Sequence, residues 1–120
     1  MSAELLELSG NVLMLIVSGK LSYVELKDFQ TQASALFKKH DKVRILVLAE
    51  DFQGWEREGD WGDMSFQEEH DDKVERMAIV GDSKWKELVL AFVGQGFREF
   101  PIEYFEHGQV SKARAWLHAR

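Results

Sequence analysis

Hydrophobic residues recur along this chain with two different periods. Residues 4–8 (ELLEL) and 12–17 (VLMLIV) are short apolar runs separated by Ser9, Gly10 and Asn11. That spacing predicts a hairpin, since Gly and Asn readily take the positive φ angles of a tight turn. The second run is apolar throughout, as in a strand covered on both faces. A helical period follows: Leu26, Phe29, Ala33, Leu36 and Phe37 share one stripe, with Lys27, Asp28, Gln30 and Lys38 facing away. Ser22 and Glu25 have the spacing of a capping box, with Leu21 and Leu26 at its staple positions, so the helix is expected from about Tyr23 to Lys39.

Strand and helix then alternate. Residues 43–49 (VRILVLA) read as a central strand. Residues 51–63 (DFQGWEREGDWGD), punctuated by glycine, read as a loop. A weaker helix is expected over 64–73, with Ser65 and Glu68 as a second capping box, and a strand over 74–80 stopped by Gly81. Asp82 or Ser83 is expected to cap a helix carrying Trp85, Leu88, Val89, Phe92 and Val93, which ends near Gly94–Gly96. A strand from Pro101 to Phe105 and a last helix capped by Ser111, bearing Ala113, Trp116 and Leu117, complete the chain. The fold class expected is α/β: a single mixed, mostly parallel sheet of about five strands with an N-terminal antiparallel hairpin and about four amphipathic helices. Its 120 residues contain no repeat or linker, so residues 1–120 are expected to form one domain.

Charge changes the picture in one place. The formal net charge is -6, and between Glu50 and Asp72 ten acids face a single base, Arg57. An acidic surface repels phosphate backbones and disfavours nucleic acid as a partner. There is no cysteine, hence no disulfide framework, thiolate metal site or Cys nucleophile. The N-terminus lacks the basic and long apolar regions of a signal peptide, and no apolar run spans a bilayer, so a cytoplasmic location without an integral membrane segment is expected.

Several strings resemble the SpoIIAA-like family of small STAS-type domains, related in fold to CRAL-TRIO lipid-binding domains. They are the Val80-Gly81-Asp82 turn with Lys84-Trp85, the aromatic pair Tyr104-Phe105, and Ala113-Arg114-Ala115-Trp116-Leu117. The resemblance covers nearly the whole chain and implies the fold. STAS-type anti-sigma-factor antagonists carry a phosphorylatable Ser or Thr in a loop after a central strand. The matching stretch here is Asp51-Phe52-Gln53-Gly54, with Phe52 at the hydroxyl position. A phenyl ring cannot accept phosphate, so the resemblance implies the fold without that charge switch.

No catalytic apparatus is evident. No serine lies in a Gly-x-Ser-x-Gly elbow, and several serines are at turns or caps. Glu68, Glu69, His70, Asp71 and Asp72 are a dense donor set, but consecutive residues diverge on a helix and calcium-loop spacing is absent. His40, His107 and His118 are isolated. The glycines of Val93-Gly94-Gln95-Gly96-Phe97 follow a helix rather than precede one, which suits a C-terminal cap and not a phosphate loop. Neither cofactor nor metal is therefore expected.

The remaining candidate site is aromatic. Asp51, Phe52, Gly54, Trp55, Trp61 and Phe66 follow the carboxyl end of a central strand, where open α/β sheets place ligands. The expected function is a non-enzymatic binding module that contacts a small hydrophobic or lipid-like molecule, or a protein partner, through this segment. The alternatives are a STAS-like regulatory interaction domain without the phosphorylatable residue and, less favoured, an enzyme using the carboxylates of residues 50–72. Aromatic surface on a small domain is also compatible with a homodimer.

Overall fold

The computed structural model describes residues 3–8, 11–56, 71–94, 98 and 100–119. The two opening runs form the expected hairpin: β1 (Ala3–Leu8) lies antiparallel to β2 (Val12–Leu21), and Asn11 takes a φ of 61°. Strands β3 (Val43–Trp55), β4 (Val74–Gly81) and β5 (Ile102–Glu106) add in chain order, each parallel to the one before. Parallel neighbours require crossovers. Helix α1 (Tyr23–Phe37) links β2 to β3, α2 (Lys86–Phe92) lies between β4 and β5, and α3 (Val110–His118) follows β5. The described residues thus hold three α-helices against the four or so expected.

Strand alternation divides the core between the two faces of the sheet. On one face Val17, Val43, Ala49, Met77 and Ile79 pack with Ala33 and Phe37 of α1 and Val89 of α2. On the other, Val12, Leu46, Ala78 and Val80 pack against Ala113 and Leu117 of α3. The second face also carries a polar device hidden in the apolar pattern. Arg44 and Arg76 are register partners on β3 and β4. Their guanidinium groups donate to the Leu117 and Trp116 carbonyls at the end of α3. Both carbonyls lie at the negative end of the helix dipole, where cations are favoured, and that of Trp116 also accepts from the Ala119 N–H at 3.2 Å.

The helix ends differ from expectation in informative ways. Ser22 caps α1: its Oγ accepts from the Glu25 N–H at 3.1 Å and donates to Glu25 Oε1 at 2.9 Å. The helix closes at Phe37 rather than Lys39, because Lys39 and His40 donate to carbonyls only three residues back. Asp82 does cap the next helical segment, accepting from the Lys84 N–H at 3.0 Å. Its first turn, Ser83–Trp85, is nevertheless a tight 3-10 turn preceding α2. Ser111 does not cap α3. Gln109 holds the N-cap position, and its Oε1 instead accepts from the Glu106 N–H of the preceding turn. Of the helix expected over 64–73, residues 64–70 lie outside the described residues and Asp71–Lys73 form a 3-10 turn.

Gly81 holds the sheet's carboxyl edge together by having no side chain. A Cβ there would lie 2.7 Å from the Tyr104 hydroxyl and 3.2 Å from Ala49 Cβ. The hydroxyl itself donates to the Asp82 carbonyl at 2.7 Å. Gly81→Ala should therefore destabilise the domain by about 1–3 kcal/mol in urea unfolding, and Tyr104→Phe in the same chain should restore much of the loss. Equal losses in the single and double variants would mean that the hydroxyl is not the obstacle.

Candidate functional site

The segment expected to leave β3 as a loop instead extends the strand as far as Trp55, and its geometry decides where the aromatic residues point. Up to Ser18 and Glu50, β2 and β3 advance together. Thereafter Gly19 pairs with Phe52 and Leu21 with Trp55. β3 therefore carries one extra residue at Asp51 and a second between Phe52 and Trp55. Asp51 has a φ of 49° and Gly54 a φ of 98°, the left-handed backbone that such bulges require. In an unbroken strand Phe52 would lie opposite Ala49, on the α3 side, and Trp55, three residues further on, would lie on the other face from Phe52. The first insertion brings Phe52 to the side of Ala49 and the second keeps Trp55 there with it, so both rings lie on the side of α1 and α2.

Glycine also makes room at the second bulge, where a Cβ on Gly54 would meet the Trp85 ring at 3.3 Å. Phe52, Trp55, Trp85 and Phe92 then form a connected aromatic cluster. Phe52 contacts Trp55 edge-on at 5.1 Å between centroids and Trp85 at 5.2 Å, while Trp55 meets Phe92 at 4.8 Å. Phe52 is buried, Trp55 and Trp85 are half-buried, and Phe92 is exposed at one end. The Trp85 indole Nε1–H is buried and has no acceptor among the described residues.

Behind this cluster lies an apolar cavity of about 150 Å³, bounded by the sheet, α1 and α2. Leu15, Val47, Met77, Phe29, Phe52 and Trp55 are among its walls. Small side chains leave the space unfilled, since Ala33 and Ala49 line it where larger residues would close it. Three described polar residues also line it. Asp71 and Arg98 satisfy each other in a two-pronged pair, with Arg98 Nε donating to Asp71 Oδ2 at 2.8 Å and its second prong reaching Oδ1. Arg98 also donates to the Val93 carbonyl at 3.0 Å and stacks on Phe100. This clamp ties the chain entering β4 to the end of α2.

The third is Gln30, and the sequence reading of it as outward-facing is overturned. It is only 7 % exposed and lines the cavity. Leu26, Gln30, Ala33 and Phe37 follow one another at helical spacing on the inward stripe of α1. Its side-chain amide has no hydrogen-bond partner among the described residues. The signal was present in the sequence as a polar residue in the middle of an apolar stripe.

Of the residues expected to form the site, Phe52 and Trp55 meet at the cavity and Gly54 shapes its rim. Asp51 is exposed and sets the strand's phase, and its carbonyl accepts from Gln53 Nε2 at 3.2 Å. Trp61 and Phe66 lie outside the described residues, as do Glu68, Glu69 and His70. Trp85 and Phe92 were expected on a helix stripe, but nothing in their local spacing announced that they would close on β3. Among the described residues no group of three or more His, Asp or Glu side chains could hold a metal ion. Nor is any described helix long and apolar enough to cross a membrane.

Comparison with known proteins places this geometry in context. The family model SpoIIAA-like matches residues 12–118. Among solved structures, an uncharacterised protein with a SpoIIAA-like fold from Shewanella loihica is similar at a TM-score of 0.73 and 17% identity, over 96% of this chain and 91% of that one. The Bacillus cell-fate determinant SpoIIAA in its phosphorylated form is similar at a TM-score of 0.59 and 11% identity, over 95% of this chain and 98% of that one. At these identities the likeness is one of fold. No curated protein matches the chain in sequence.

The bulges can be tested through their backbone. Gly54→Ala should destabilise by about 1–3 kcal/mol, because an L-residue is strained at that φ and the new methyl presses on Trp85. Asp51→Gly should change stability by less than about 0.5 kcal/mol, whereas β-branched Asp51→Val should cost about 1–2 kcal/mol. Chemical denaturation of the three variants checks the order. An Asp51→Val variant as stable as the parent would contradict the bulge.

Proposed function

The chain belongs to the SpoIIAA-like family, and we propose that it acts as a non-enzymatic binding module whose cavity beside α1 and α2 takes a small apolar molecule. The observation carrying this reading is the cavity of about 150 Å³ walled by Phe52 and Trp55. Apolar cavities of about this size stay dry and accept benzene or xenon. Such a volume suits a compact molecule better than an extended lipid chain. The double bulge supports the same reading, since bulges beside sites serve to re-aim side chains. Phe52 stands where the STAS-type switch carries its hydroxyl, and it is a buried strand residue, so regulation by phosphate on that position is not part of the proposal.

A second reading, a regulatory domain that docks on a protein, draws support from the family and from Leu88 and Phe92 of α2, which are 56% and 39% exposed. The two readings diverge when the cavity is filled without altering the surface. Ala33→Leu adds three carbons to a cavity wall and should abolish the binding of toluene, measured by NMR titration, while leaving the melting temperature equal or higher. Toluene binding that survives Ala33→Leu, or that is absent from the parent, would shift the function to the α2 surface.

A further inference from the structure

We infer that Gln30 is the polar anchor of this cavity, and that its ligand is a compact molecule, of about six to eight non-hydrogen atoms, bearing one hydroxyl or carbonyl group. The inference rests on the reading of the cavity as a binding site and adds what that site selects. Gln30 is more than nine-tenths buried, lines the cavity and has no side-chain partner among the described residues. The other described polar liners, Asp71 and Arg98, are committed to each other. Met or Leu at position 30 would continue the stripe of Leu26, Ala33 and Phe37 with no polar group left unpaired. A carboxamide offers both donors and an acceptor from one planar group, so it pairs with a hydroxyl or with a carbonyl and carries no charge. A neutral anchor in apolar walls selects against ionised ligands, whose desolvation nothing there offsets. Wholly apolar ligands would bind while leaving the amide unpaired, and so more weakly than an isostere that pairs with it.

Phenol and toluene are near-isosteres that differ in the hydroxyl, and titrating both against the parent and Gln30→Met separates the anchor from the cavity. Comparing the ratio of the two affinities cancels the different hydration of the two molecules. The phenol-to-toluene affinity ratio should fall about fivefold in Gln30→Met, with toluene binding retained or strengthened. An unchanged ratio with toluene still bound would overturn the anchor and leave the cavity reading standing. Absence of binding by both molecules to the parent would overturn both. Thermal melting of the ligand-free proteins gives a second readout. Gln30→Met should melt no lower than the parent, since the amide has no described partner to lose. A marked drop would show that the amide is tied into the fold and would overturn the assignment.

Discussion

The phase of β3 against β2 is the constraint on which the candidate site depends. A strand presents alternate residues to opposite faces, so a single inserted residue transfers everything after it to the other side. β3 makes this transfer twice, at Asp51 and near Gly54, and each left-handed residue accommodates an insertion without breaking the pairing that takes Gly19 to Phe52 and Leu21 to Trp55. Phe52 and Trp55 consequently complete the wall begun by Ile45, Val47 and Ala49. Without the insertions Phe52 would sit with Leu46 and Leu48 on the α3 side, a face already packed by Ala113 and Leu117, and would be parted from Trp55.

The two faces of the sheet differ in how they are closed. On the α3 side, small and large residues interlock, and Arg44 and Arg76 tether the helix end to the strands. On the other side, Ala33 of α1 and Ala49 of β3 leave space beneath the helices, and the aromatic cluster and the Asp71–Arg98 clamp flank it. Held margins around an unfilled interior leave a preformed cavity. Phe52 is a buried ring within the strand.

Much of the fold was legible because apolar periodicity and the glycine-bounded runs coincide. The ELLEL–VLMLIV hairpin, the Ser22–Glu25 cap and the parallel order of the later strands all follow from local patterns that the packing reinforces. The site was legible only in part. Phe52 and Trp55 attracted attention as aromatics after a central strand, but DFQGW reads as a loop because positive-φ bulges use the same residues as turns. Gln30 is assigned outward by default because it is polar, although its position four residues after Leu26 and three before Ala33 places it on the apolar stripe. Arg44 and Arg76 were hidden for the converse reason, as charges inside strands whose partners are helix carbonyls some forty to seventy residues away in the chain.

The most direct test of the account is a crystal structure determined under xenon pressure. Xenon has no polar preference and fills apolar cavities of this size. The account predicts an ordered xenon atom between α1 and the sheet, in contact with Phe29, Val47 and Phe52. A crystal that takes up no xenon there, with those side chains closed upon one another, would contradict the cavity and with it the binding function built upon it.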